Sequence, residues 1–317
     1  MDSFALARQD SPAALNLPSS QASRLVEAFL AGRKRTTLAA YRQDLLAFTV
    51  WTGAGTLDAA AQLLLGRGHG EANALGLAYR AHLLELGLAP ATVNRRLAAL
   101  RSLVTLGRVL GLVSWGLDVE GVRSQAYRDT RGPGLEGVRD LVELTRQRVD
   151  RKGLRDQALL RVLWDLALRR GEVVALDLED LDLQAGTLAV QGKGKWEKSR
   201  LTLPKPTRQA LAAWVEARGR EPGPLFCNLD RAGKGSGRLT GTSLYRLVKE
   251  LGRRVGLETR PHGVRHAAIT HALDQTNGNV RTVQRFSRHA DPRTLGRYDD
   301  SRQDLAGKVS RLVAGAI

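Results

Sequence analysis

The sequence predicts a two-domain, mainly helical protein. An all-α N-terminal domain is followed by a mainly α C-terminal domain carrying a small three-stranded antiparallel sheet. Three observations predict this. A chain of 317 residues is longer than one domain usually needs. Apolar residues recur at helical spacing, with no strand pattern, as far as Trp115. Beyond Leu135, three short strand-like stretches interrupt the helical pattern, the second and third rich in β-branched and alternating residues. The expected boundaries are 19–115 for the first domain, 116–134 for a linker and 135–317 for the second.

Residues 1–18 read as a flexible lead, and Asp2, Arg8 and Asp10 break up any secretory signal. Ser19 or Ser20 can cap a helix over 21–31 with Leu25, Phe29 and Leu30 on one face. The basic loop Gly32-Arg33-Lys34-Arg35 follows. Thr36 or Thr37 then caps a second helix, marked by Leu38, Tyr41, Leu45, Leu46 and Phe48. Further helices are expected over 57–65, 71–86 and 90–110, the last opened by Pro90, with Asn94, Arg95, Arg96 and Arg101 on its polar side. In 116–134, Arg123, Arg128 and Arg131 lie among Gly, Asp and Ser, ending in Gly132-Pro133-Gly134, which reads as a basic linker.

In the second domain helices are expected over 137–148 and 155–168, with Leu159, Leu160, Leu163, Leu166 and Ala167 as a buried stripe. Short strands are expected over 177–183, 187–191 and 199–203, the last two joined by the glycine-rich basic turn 192–198. Helical spacing resumes over 207–218, 242–255, 263–275 and 280–286. It returns in the tail at Leu305, Val309, Leu312 and Val313.

Charge narrows the partner class. Lys and Arg number 49 against 32 Asp and Glu, a net +17, which attracts polyanions. Nucleic acid leads, with a merely solvated basic surface as the alternative. Cys227 is the only cysteine, so neither an internal disulfide nor a cysteine-based metal site is available, and a reducing cytoplasm fits. No apolar run reaches the roughly 18 residues of a membrane span.

The residues with chemistry to offer are scattered. Pro261 suits the first position of a helix, which places His262 and Arg265 near a phosphate-receiving N-terminus; a capping histidine with a surface arginine is the alternative. Arg169 and Glu172 share a helix side, with Arg170 as a competing arginine and an ordinary ion pair as the plainer reading. Lys193 stands between glycines at the hairpin turn, with Lys195 and Lys198 as competitors, and no nucleotide P-loop pattern surrounds it. Tyr298 follows His289 by nine residues, in surroundings too polar to read as core.

Taken in order, Arg169, Lys193, His262, Arg265, His289 and Tyr298 resemble the catalytic series of the tyrosine recombinases, or phage-integrase family, and its Xer-like branch in particular. The motifs are LALRRGE, QGKGKWEKSRLTLP, PHGVRHAAITHAL and SRHADPRTLGRY, with the lysine 24 residues after the arginine. TTLAAYRQDLLAF and APATVNRRLAALRSLV resemble the family's core-DNA-binding, SAM-like helices, so the likeness spans about 20–310. Ala167 and Arg288 stand where the pattern has glycine, Val264 where it has leucine, and Asp299-Asp300 follow the tyrosine.

The resemblance implies site-specific recombination of double-stranded DNA. Tyr298 would attack a phosphodiester to leave a 3′-phosphotyrosyl bond. Arg169 and Arg265 would clamp the phosphate, and Lys193 would protonate the leaving oxygen. His262 would take the tyrosine proton or hold the phosphate, and His289 would bond to that phosphate, with Glu172 and His266 in support. The bond energy stays in the covalent intermediate, so no cofactor, ATP or metal is implied. Arg33, Lys34, Arg35, Thr36, Arg42, Arg95, Arg96, Arg101 and Lys195 are candidate DNA contacts. A tetramer on two duplexes, resolution of chromosome dimers, and work alongside a second recombinase and a DNA translocase go with the Xer-type reading. The alternatives are a phage, plasmid or integron integrase, a type IB topoisomerase-like enzyme, or a non-catalytic DNA-binding protein.

Overall fold

The computed structural model describes residues 19–31, 35–123, 132–192, 197–229, 237–298 and 305–315. The chain divides into two compact units, residues 1–125 and 126–317. Arg33, Lys34, Lys193, Lys195 and the Asp299-Asp300 pair lie outside the described residues.

The regular elements described in the first unit are all helices: α1 (Ser19–Leu30), α2 (Arg35–Thr52), α3 (Leu57–Leu65), α4 (His69–Glu85) and α5 (Pro90–Val109). Local chemistry sets the ends. The Thr56 hydroxyl accepts from the Ala59 amide at 3.1 Å to start α3, and Pro90 opens α5. Leu25, Phe29, Phe48, Leu64, Leu65, Tyr79, Leu97 and Leu100 form the core, with Phe48 and Tyr79 edge to face at 5.1 Å. The packed region runs past the boundary expected at Trp115, because Leu117 and Val119 are buried in this same core. Gly76 makes room for them: a Cβ there would lie 2.7 Å from a Val119 methyl. Asn94 holds the segment further on, donating to the Val122 carbonyl at 2.9 Å and accepting the Val122 amide at 2.7 Å.

The second unit contains α6 (Gly134–Arg146), α7 (Arg151–Trp164), α8 (Arg170–Ala175), β1 (Leu181–Asp182), β2 (Thr187–Gln191), β3 (Lys198–Thr202), α9 (Lys205–Arg218), α10 (Gly241–Arg254), α11 (Pro261–Gln275), α12 (Val280–Ser287) and α13 (Leu305–Ala314). The strands form an antiparallel sheet in the order β1-β2-β3, with Leu188 opposite Leu201 and Val190 opposite Ser199. Leu188 and Val190 face inward, as the period-2 pattern requires. Helices α6, α7, α9 and α11 pack around a core that includes Leu159, Leu160, Leu163, Leu211 and Trp214. The Trp214 indole donates to the Leu225 carbonyl at 2.8 Å, so its polar atom is satisfied inside. No helix among the described residues is long and apolar enough to cross a membrane.

Two expected elements differ. The strand expected over 177–183 is mostly a 3-10 turn, Leu178–Asp180, with only Leu181–Asp182 in the sheet. The Asp177 amide donates to the Asp180 carboxylate at 3.0 Å, and this local bond curls the chain before it can extend. The helix expected over 155–168 stops at Trp164, because Ala167 adopts a left-handed conformation, φ +44°. That early stop frees residues 165–169 to form a turn against the site described next.

Candidate active site

Four backbone features make the site. Arg169 is the N-cap of α8, and its side chain folds back over the helix start. Its amide and its guanidinium both donate to Glu172, at 2.8 Å each, one to each carboxylate oxygen. Glu172 is buried. Burial alone would push its carboxyl up, but the Arg169 amide and the Arg288 charge outweigh that and hold it below the ordinary value.

The second feature is α11. Pro261 occupies the first turn as expected, but His262 and Arg265 do not present themselves alike. His262 is exposed, whereas Arg265 is 1 % exposed and turned inward. Arg265 donates to the Ala167 carbonyl and, at 2.6 Å, to the Ser287 carbonyl. Burial, then the charge of Arg169, lowers its pKa to about 10, so it keeps its charge at neutral pH. The surface arginine that sequence alone allowed is therefore a buried one. His262 is held below its ordinary pKa by desolvation first and then by Arg265, with Arg169 among the further positive charges around it.

The third feature is the end of α12. A helix C-terminus leaves carbonyls unpaired and carries the negative end of the helix dipole. Here two successive carbonyls accept the two arginines: Ser287 O takes Arg265, and Arg288 O takes Arg169 at 3.3 Å. The same turn positions His289, whose Nδ1 lies 2.9 Å from the Ser287 hydroxyl and whose backbone carbonyl accepts from Gln284 at 3.1 Å. Arg288 makes the turn with φ +56°, and Ala167 opposite has φ +44°. Each non-glycine residue in that region costs on the order of 1–2 kcal/mol.

The fourth is the 3-10 turn Pro292–Tyr298. It delivers Tyr298, which is 6 % exposed and packs with Ala167, Ala268, Ile269, Val283 and Leu295. This corrects the expectation that Tyr298 lies outside any core. The ring stacks on His266 at 4.5 Å between centroids, and its hydroxyl points at His289 Nε2, 3.4 Å away. Arg265 approaches the same Nε2 at 3.4 Å.

Those contacts fix the state of His289. Burial, then the positive charges of Arg265 and Arg169, lowers its pKa to about 4, so the ring is neutral at pH 7. Arginine can only donate, so the nitrogen facing it carries the lone pair and Nδ1 carries the proton toward Ser287. Nε2 is therefore an acceptor beside the Tyr298 hydroxyl, at a distance somewhat longer than a made hydrogen bond.

The structure thus brings Arg169, Glu172, Arg265, His266, His289 and Tyr298 together, with His262 at the exposed start of the same helix. Ser287 and Arg288 are additional contributors that a list of chemically active side chains leaves out. Arg288 stood out in the sequence only as a replaced glycine. His271 takes no part and stacks on Trp164 at 5.7 Å. Among the candidate DNA contacts, Arg35 and Thr36 open α2 and Arg42 is exposed along it. Arg95 donates to Asp44 at 2.9 Å, Arg96 lies 4.0 Å from the same carboxylate, and Arg101 donates to the Val119 carbonyl. The last bond gives Arg101 a structural job that its place on a polar helix face did not reveal.

A buried arginine, a half-buried arginine, a neutral histidine and a tyrosine hydroxyl meet here, side chains of the kinds that can hold an anion and supply a nucleophile. The phage integrase family model matches residues 136–304. A tyrosine recombinase of Synechococcus elongatus is 42% identical over 289 residues, covering 89% of this chain and 90% of that protein. Tyrosine recombinase XerC of Xanthomonas campestris pv. campestris is 31% identical over 306 residues, covering 92% and 89%. Among solved structures, the Tn1549 transposon integrase in complex with transposon right end DNA matches at TM-score 0.68, with 13% identity and coverage of 95% and 100%. XerH site-specific recombinase bound to palindromic difH matches at 0.64, with 20% identity and coverage of 92% and 85%. The chain belongs to the phage integrase family of tyrosine recombinases. It is an enzyme of site-specific recombination, breaking and rejoining DNA strands.

Proposed function

We propose that Arg169, Lys193, His262, Arg265, His289 and Tyr298 form the strand-cleaving centre. The carrying observation is the convergence of Arg169, Arg265 and His289 on the α12 terminus, with the Tyr298 hydroxyl 3.4 Å from His289. The Tyr298 oxygen attacks the scissile phosphorus, and the bond to the 5′ oxygen breaks. Arg169 and Arg265 stabilise the charge on the non-bridging oxygens. Tyr298 passes its proton to His289 Nε2, and His262, exposed at the start of α11, holds the phosphate. Lys193 supplies the proton to the leaving oxygen. A 5′-hydroxyl from the partner strand then attacks the phosphotyrosine and regenerates the phenol.

Tyr298 is covered, so cleavage on this reading requires the 3-10 turn to swing the phenol toward the phosphate. The first unit serves as the core-DNA-binding domain, with Arg42 and the start of α2 on the duplex, and residues 135–317 as the catalytic domain. The similarity to XerC proteins over nearly the whole chain supports an Xer-type role in resolving chromosome dimers, carried out by a tetramer on two duplexes. A nicked suicide duplex carrying the cognate site tests the chemistry. Wild-type protein should accumulate a covalent 3′-linked complex, and Tyr298→Phe should accumulate none. A complex that persists in Tyr298→Phe would assign the nucleophile elsewhere.

A further inference from the structure

We propose that Arg288 is a positioning residue: its guanidinium sets Glu172 and the Ala167 turn, and through them the arginine clamp. The proposal rests on the assignment of Arg169 and Arg265 as that clamp.

The Arg288 side chain is mostly covered and bridges segments more than a hundred residues apart in sequence. It donates to the Leu166 carbonyl at 2.9 Å, the Ala167 carbonyl at 3.2 Å, the Phe286 carbonyl at 3.1 Å and Glu172 Oε2 at 3.0 Å. Two of these acceptors also serve the clamp directly. Ala167 O takes Arg265, and Glu172 Oε2 takes the Arg169 amide. Meanwhile the Arg288 carbonyl takes the Arg169 guanidinium. Arg169, Glu172 and Arg288 therefore form a closed ring of hydrogen bonds, and Arg265 joins it at Ala167.

Two features oppose an arginine here. The backbone has φ +56°, which glycine adopts without a Cβ penalty. The buried Nε also has no hydrogen-bond partner among the described residues. A glycine would avoid both, yet it would leave the buried Glu172 with one arginine instead of two. It would also leave the carbonyl of Ala167, itself left-handed, with Arg265 as its one remaining donor among the described residues. The four acceptors lie where an arginine fixes the orientation of the clamp.

Arg288→Gly isolates the side chain, since it preserves the turn and the carbonyl that holds Arg169. Three quantities are measured for wild type, Arg288→Gly and Arg288→Lys: the Kd for an intact cognate duplex, the single-turnover rate of covalent-complex formation at saturation, and the melting temperature. The expected result is a rate about tenfold to a hundredfold lower in Arg288→Gly, the scale of a small misplacement of catalytic groups. Kd should change less than about threefold, and Arg288→Lys should recover part of the rate. On an Arg169→Lys background, Arg288→Gly should cost less than about threefold more, because the group it orients is already displaced.

Wild-type cleavage rates in Arg288→Gly would overturn the proposal. So would an equal loss on the Arg169→Lys background, or a loss that tracks melting of the protein at the assay temperature. If Arg288→Gly does not fold, Arg288→Lys on the two backgrounds decides by the same criterion. Absence of a covalent complex with the wild type would instead overturn the underlying site assignment.

Discussion

Asp44 and Glu172 are buried carboxylates, one in each unit, that each lie between two arginines, yet they behave in opposite ways. Asp44 in the first unit and Glu172 in the second have side chains 1% and 4% exposed. Asp44 is pushed up, because burial outweighs Arg95 and Arg96. Glu172 is held down despite its burial. The number of arginines does not explain this. Asp44 has Arg95 at 2.9 Å on Oδ2, but its other oxygen has only Arg96 Nε at 4.0 Å, and neither that oxygen nor that nitrogen has a hydrogen-bond partner among the described residues. Both Glu172 oxygens are bonded, one of them by a backbone amide fixed at a helix N-cap. Complete hydrogen bonding, more than nearby charge, offsets the desolvation of a buried carboxylate.

The largest test of that contrast is kinetic. Glu172→Gln keeps the shape but removes the charge that orients Arg169 and Arg288. Single-turnover cleavage at saturating protein should fall by about a hundredfold. Asp44→Asn should leave that saturated rate within about twofold and change DNA affinity instead, since it releases Arg95. Equal rate losses in the two variants would erase the distinction between an orienting carboxylate and a structural one.

A second test uses pH. The folded-state pKa of Glu172 lies below its unfolded value, so its stabilising contribution is present above about 4.5 and is lost as pH falls through the folded value. The folded-state pKa of Asp44 lies above its unfolded value, so the native state takes up that proton first and its contribution becomes more favourable as pH falls. Urea unfolding between about pH 3 and pH 6 should show opposite slopes for wild type minus Glu172→Gln and wild type minus Asp44→Asn. His289, with a pKa near 4, adds a loss of stability between its unfolded value of about 6.5 and pH 4, where only the unfolded chain binds its proton. An imidazole titration by NMR that gave a midpoint near 6.5 for His289 would contradict its confinement by Arg265 and Arg169.

The same contrast marks what could be read from the sequence. Helix positions and the β2–β3 hairpin follow from periodicity, which is local. The order of Arg169, His262, Arg265, His289 and Tyr298 is legible because rare side-chain chemistry recurs at a recognisable spacing. The acceptors are not legible. Nothing in the sequence says that the carbonyls of Ala167, Ser287 and Arg288 receive the arginines, because main-chain acceptors look alike in every residue. Positive φ at Ala167 and Arg288 is signalled only indirectly, because both stand where the family pattern has glycine. Tyr298 seemed exposed because its sequence neighbours are polar, whereas its spatial neighbours Ile269, Val283 and Leu295 come from elsewhere in the chain. Arg101 reads as a free cation in the sequence, whereas it donates to the Val119 carbonyl in the fold.

The smallest expected effects separate arginines that hold the protein from those that hold DNA. Arg42 is exposed on α2 and makes no ion pair among the described residues, while Arg101 is tied to the segment that closes the first unit's core. Arg42→Ala should leave stability within about 0.5 kcal/mol. It should also weaken binding similarly on cognate and unrelated duplexes, with the slope of log affinity against log salt reduced by about one, as for the loss of one phosphate contact. Arg101→Ala should do the reverse. It should cost about 1 kcal/mol in urea unfolding for the lost hydrogen bond to Val119, with the salt slope unchanged. Salt titrations of duplex binding check both. A reduced slope for Arg101→Ala would place that residue on the DNA, and an unchanged slope for Arg42→Ala would remove the exposed face of α2 from the duplex.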